Sequence, residues 1–154
     1  TAHTRVPSHT ALTGLAALWI HCWRPLPPTR WHLVGERGLY RTTDTSLVFH
    51  SGVTARLGSR IGPVAVAPPA RACLDALRWE PAEPALEAVV GAVLDGRIVP
   101  EALDAALELD SARGAGHARL TSLVAAVTAL AGHRLEAPAA GQPGRLAPVM
   151  RRAS

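Results

Sequence analysis

Arg71 and Asp75 stand four residues apart, directly after Pro68-Pro69, a spacing that puts both on one turn-to-turn line of a helix. A cation near a helix N-terminus opposes the helix dipole, so Arg71 needs something to offset it. Three roles are open to it. It can form an exposed pair with Asp75, worth about 0.3–0.5 kcal/mol. It can be a polar fastener buried between strand and helix, or it can contact phosphate or an acidic partner. The seven histidines invite a metal hypothesis. His21 and Cys22 are adjacent, which on a helix turns them about 100° apart and away from a shared ion. His32 and His50 fall in two expected strands and can face each other across a sheet. No third ligand lies in register with them, so they read as cross-strand or surface histidines. Asp75 with Glu80, and Glu83 with Glu87, form carboxylate pairs without a nucleophile, a general base or a glycine-rich phosphate cradle. No serine sits in a G-x-S-x-G elbow. The expectation is a non-enzymatic protein with no catalytic residue, no metal and no cofactor.

The elements that must position these residues follow from hydrophobic spacing. A helix is expected from about His9 or Thr10 to Trp23, with Leu12, Leu15, Leu18 and Trp19 on one side and Pro25 as its stop. Pro25-Leu-Pro-Pro28 is a rigid connector. Strands are expected over Arg30–Gly35, Ser46–Ser51 and, after Gly62-Pro63, Val64–Ala67. The two-proline stop then opens a helix from Pro69, which suits a first helical position and buries Ala70, Cys73, Leu74 and Leu77. Leu86, Val89, Val90, Val93 and Leu94 make the next buried stripe, closed by Gly96. Pro100 starts a helix burying Leu103 and Leu107, and Leu120, Leu123, Val124, Val127 and Leu130 form the last stripe. The glycine-rich connector at Arg113-Gly114 favours a helical packing layer over a DNA-reading helix-turn-helix between Ile98 and Val127.

These elements predict an α/β (α+β) fold, a small short-stranded sheet packed against several helices. One core domain spans residues 1–136, with a sheet region at about 30–67 and a helical region at about 68–132. Residues 137–154, rich in Ala, Pro, Gly and Arg without periodicity, read as a disordered tail.

All sixteen basic residues among the 154 are Arg, and the net charge is +4. Without lysine there is no Walker phosphate loop, no Schiff base and no nuclease centre that needs a catalytic Lys. Arg24, Arg30, Arg37 and Arg41 lie in a loose basic segment and are the candidates for contacts to phosphate; the alternative is a solvated surface. Cys22 and Cys73 read as two free thiols of a reducing cytoplasm. The apolar run Ala11–Trp23 is too short to span a bilayer, so no membrane is expected.

The order Ala16-Ala-Leu-Trp-Ile-His-Cys22, His32-Leu-Val34, Leu47-Val-Phe-His-Ser51 and Pro63-Val-Ala-Val-Ala-Pro-Pro-Ala-Arg71, then Leu74-Asp75, carries a resemblance. Over roughly residues 10–130 it is similar to the core of the AbiEi-like family of type IV antitoxins of actinobacteria, which double as transcriptional regulators. Pro69-Ala70-Arg71 and Leu74-Asp75 are its most specific part. Cys22 stands where the family often has glycine, and Ala67 and Ala72 lie near its threonines. The resemblance implies a regulatory and protein-interaction module whose core engages a cognate nucleotidyltransferase toxin. It makes Arg71 and Asp75 structural or partner-contact residues. The family's DNA-reading winged helix would precede Thr10 and is expected to be missing, so DNA is a partner only if such a helix exists upstream. Some relatives carry a C-terminal domain similar to very-short-patch-repair endonucleases. The alternatives are therefore a truncated, inactive remnant of such an endonuclease, or a weak, sequence-indifferent nucleic-acid binder.

Overall fold

The computed structural model describes residues 6–7, 9–21, 23–35, 44–51, 58–110 and 115–136. Strand β1 (Ala11–Thr13) leads straight into helix α1 (Gly14–Ile20), and β2 (Trp31–Gly35), β3 (Leu47–Ser51), β4 (Ser59–Ile61) and β5 (Val64–Val66) follow. Four helices complete the chain: α2 (Pro69–Trp79), α3 (Ala82–Leu94), α4 (Pro100–Glu108) and α5 (Ala115–Glu136). The strands form one mixed sheet in the order β3-β2-β1-β5-β4. β1 runs antiparallel to β2 and parallel to β5, β2 and β3 are parallel, and β4–β5 is a hairpin turning at Gly62-Pro63.

Register sets up the core. Val66 pairs with Leu12, Leu12 with Leu33, and Leu33 with Phe49, so one apolar row crosses four strands. Leu12, Leu33 and Val66 are fully buried, and they join Leu15, Leu18, Leu74, Leu77, Val89, Leu103, Leu120 and Val127 in one hydrophobic cluster. Trp19 on α1 meets Trp31 on β2 at 5.8 Å between ring centroids.

The helical half keeps its expected order. Pro69 and Pro100 occupy first-turn positions, where their missing N–H groups leave no bond unmade. α3 ends in a Schellman cap: Gly96, at φ 66°, gives its N–H to Val93, and Arg97 gives its own to Ala92. Val89, Val90 and Val93 are buried as their spacing predicts, with Leu86 and Leu94 half-buried beside them. On α5 the stripe is Leu120, Val124, Val127 and Ala131, whereas Leu130 is 48% exposed. A helix of this length turns away from a straight line drawn through its leucines, and the smaller Ala131 takes the inward place.

The first element departs from expectation. The helix predicted from His9 or Thr10 to Trp23 is a three-residue strand followed by a seven-residue helix. Its strand lies at the centre of the sheet, outside the 30–67 region in which the whole sheet was expected. A central strand buried on both faces carries an unbroken apolar run and lacks the alternation that marks a half-exposed one. Gly14 makes the break, with φ 60° between extended Thr13 and the helix. A Cβ added there would come within 2.9 Å of Glu80 Oε1. Gly14→Ala is therefore expected to lose about 1–2 kcal/mol from the left-handed backbone, with further loss from displacing Glu80. A denaturant midpoint equal to that of the parent chain would contradict this account of the turn.

Candidate functional site

Helix α2 carries two polar clusters, one along its length and one at its end. Asp75 is completely buried on the helix face turned to β1 and α1. Its Oδ2 accepts a 2.6 Å hydrogen bond from the Thr13 hydroxyl. Its Oδ1 is 2.9 Å from Arg71 Nε one turn back and 3.8 Å from Arg78 one turn on. Both guanidinium groups also reach Asp110, the residue just beyond the cap of α4: Arg71 Nη1 at 3.1 Å, and Arg78 through Nη2. Two cations and two carboxylates thus alternate around a half-buried ring that binds α2 to β1 and to the end of α4.

The electrostatics follow from burial. Desolvation pushes the Asp75 carboxyl up, against the opposing pull of Arg71, the Thr13 hydroxyl and Arg78. For Asp110, burial is outweighed by Arg78 and Arg71, and its pKa is lowered. Burial acts to lower the pKa of Arg71 as well, but Asp75 and Asp110 prevail and hold the guanidinium above its usual range. Of the roles open to Arg71 and Asp75, the structure places them in the fastener between strand and helix.

The second cluster begins at Glu80, the residue after α2. Thr13 is the N-cap of α1 by position, but its hydroxyl is engaged by Asp75 and makes no capping bond. Glu80 Oε1 caps instead, accepting the Leu15 N–H at 3.2 Å. Glu80 Oε2 stands 3.6 Å from His32 Nε2, and His32 Nδ1 meets His50 Nε2 at 2.9 Å. Trp79 lies flat on His50, with centroids 3.6 Å apart and planes at 2°, and the Arg78 guanidinium is 5.7 Å from the centre of the indole. Burial, then the neighbouring charges of His50 and Arg30, lower the His32 pKa to about 4. Burial, then Arg78, take His50 to about 4 as well. Glu80 is raised, chiefly by burial, against the Leu15 bond, Arg24 and Arg30.

His32 and His50 therefore face each other as their strand positions suggest. Asp75 and Glu80, a carboxylate pair by sequence, are divided between the two clusters. Glu83 and Glu87 are exposed on α3. Of the candidate phosphate contacts, Arg24 is half-buried beside Glu80, with Nη1 closed off from solvent, and Arg30 is exposed near Glu80 and His32. Arg37 and Arg41 lie outside the described residues, as do Cys22 and the segment 137–154. Cys73 is a buried free thiol, pushed up to about 12 by desolvation. Among the described residues no group of three His, Cys, Asp or Glu side chains is placed to hold a metal ion, and no helix is long and apolar enough to cross a membrane.

Sequence reasoning missed Arg78, Asp110, Thr13 and Trp79. Arg78 had a signal, because it lies three residues beyond Asp75 on the same helical line. Asp110 had none. In comparison with known proteins, the chain matches no family model, no curated protein and no solved structure.

Removing Asp75 leaves two half-buried guanidinium groups short of one acceptor. Asp75→Ala is expected to cost about 3–5 kcal/mol, and Thr13→Val about 1–2 kcal/mol through one lost bond to a charged group. Chemical denaturation of both variants is the check, and equal losses would contradict the ring as drawn.

The lowered histidine pKa values set a direction for pH. Neutral rings are favoured in the folded chain, so their contribution is complete above about pH 6.5, the unfolded value. It is lost as pH falls from there towards 4. Full protonation of His32 alone costs on the order of 3 kcal/mol. Stability measured across that window should fall more steeply in the parent chain than in His32→Gln; parallel curves would refute the assignment.

Proposed function

We propose that this chain is a non-enzymatic regulatory and protein-interaction module of the AbiEi-like kind, acting against a nucleotidyltransferase-type toxin. The observation that carries the reading is where the resembling motif falls. Pro69-Ala70-Arg71 and Leu74-Asp75 form the first two turns of α2, and their two charged members close the ring with Thr13, Arg78 and Asp110. A motif used in this way belongs to a scaffold, and likeness in such a motif argues for likeness of the core rather than of a reactive centre. A reducing cytoplasm suits the buried free thiol of Cys73.

Direct reading of DNA would belong to a winged helix upstream. Arg71 and Arg78 are committed to carboxylates, and Arg24 lies in the field of Glu80. The described part of the chain should accordingly bind duplex weakly, without regard to sequence, and lose that binding steeply with salt.

Co-expression with a nucleotidyltransferase-type toxin encoded beside this chain is the test. Growth arrested by the toxin should resume when the chain is made as a folded protein. Failure to restore growth at comparable levels of folded protein would overturn the reading. A titration with the chain's own upstream promoter and a scrambled duplex separates the nucleic-acid alternative: a preference of about a hundredfold persisting at physiological salt would identify a specific DNA reader.

A further inference from the structure

His32 comes from β2 and His50 from β3, and among the described residues β3 is an edge strand, hydrogen-bonded to β2. Their 2.9 Å contact joins two ring nitrogens, and such a contact holds one proton, because one ring must donate and the other accept. We propose that the Glu80–His32–His50 chain is an acid-sensitive clasp. It holds the edge strand β3 against β2 while the facing nitrogens share a single proton, and it frees that edge when both rings are charged.

Glu80 sets the polarity. Its Oε2, 3.6 Å from His32 Nε2, favours a proton on that nitrogen, which leaves His32 Nδ1 as the acceptor. His50 then donates from Nε2 and keeps a lone pair on Nδ1. The first added proton goes to His50 Nδ1, and the resulting imidazolium still donates to His32. The second has only His32 Nδ1 to occupy, where it confronts the His50 Nε2–H, and the contact parts. The charged groups that face the pair among the described residues come from three directions. Glu80 and Arg30 face His32, Arg78 on α2 faces His50, and Glu80 is itself met by the Leu15 N–H of α1, Arg24 and Arg30. Among the described residues these arginines oppose protonation, and the Glu80 carboxylate favours it. Burial first, and the neighbouring positive charges second, lower the pKa of both rings. Trp79, flat on His50, closes the clasp from the side of α2 and supplies an optical reporter, since an imidazolium against an indole quenches its emission.

The experiment is nitrogen-edited NMR on the full chain from about pH 7 down to about pH 4, with amide exchange corrected for its intrinsic pH dependence. At the upper end, His50 Nδ1 should carry no proton. As both rings titrate below about pH 5, amides of Val48, Phe49 and His50 should lose protection about tenfold more than those of Leu12 and Val66 in the sheet interior. His50→Phe keeps a ring on Trp79 but cannot be charged, and its β3 protection should follow the interior through the same range. Rings that titrate near 6.5 in the folded parent chain, or β3 protection that tracks the interior throughout, would overturn the proposal. If His50→Phe fails to fold, the ring shifts and β3 exchange of the parent chain decide the question by themselves.

Discussion

A carboxylate with no access to water lies between the sheet and the helices, and the geometry around it depends on keeping Asp75 neutralised. An unpaired charge in such a place costs several kcal/mol, so the elements that bring its partners are not free to move. Arg71 and Arg78 come from Asp75's own helix by spacing. Thr13 comes from β1, and its 2.6 Å bond requires the strand to end with that side chain directed at α2. Asp110 supplies the second negative charge, so that each arginine is matched. Without it α2 would hold two cations against one anion, and the end of α4 would lose its polar tie to the helix.

One consequence runs along the chain from Thr13 to Glu80. The residue best placed to cap α1 has given its hydroxyl to Asp75, and the orphan N–H groups of that short helix need another acceptor. Glu80 provides it, from just past the end of α2. Two carboxylates five residues apart therefore do related work at one junction. One holds the end of the strand, the other the start of the helix that follows it. Gly14 is the pivot between them, and its lack of a Cβ lets the Glu80 carboxylate come close.

How much of this was legible depends on whether the signal was local. The starts of α2 and α4 and the end of α3 could be read because Pro69, Pro100 and Gly96 act on the backbone within one turn of themselves. The pairing of Arg71 with Asp75 was visible for the same reason, and the meeting of His32 with His50 followed from two strands that alternate. β1 was hidden because three buried residues running into a helix have the hydrophobic profile of that helix. Thr13 was lost with it, since a threonine expected within a helix suggests no bond to a carboxylate sixty-two positions on. Asp110 has no periodic relation to Asp75 at all; only the packing of α4 against α2 brings it in.

The groups best suited to chemistry spend their capacity on one another, which bears on how this molecule meets others. Arg71 and Arg78 are matched to Asp75 and Asp110, and the ring faces of His50 and Trp79 cover each other. Recognition by a patch of free charge therefore has little to draw on in this part of the surface. The fold exposes backbone more readily. β4 is exposed along its whole length at one edge of the sheet, and among large apolar side chains Leu109 and Leu26 are well exposed. An open edge invites pairing with another strand unless something interrupts it. Arg60 sits in the middle of β4 and folds back to the carbonyl of Pro63 at 2.7 Å. With only three residues in the strand, a charge at its centre leaves no uninterrupted apolar row for a second chain to extend. At the opposite edge, β3 owes its hold on the sheet partly to a contact between two imidazoles. The two ends of one small sheet are thus guarded by different means: a permanent charge on β4, and on β3 a pair of rings whose charge depends on the surroundings.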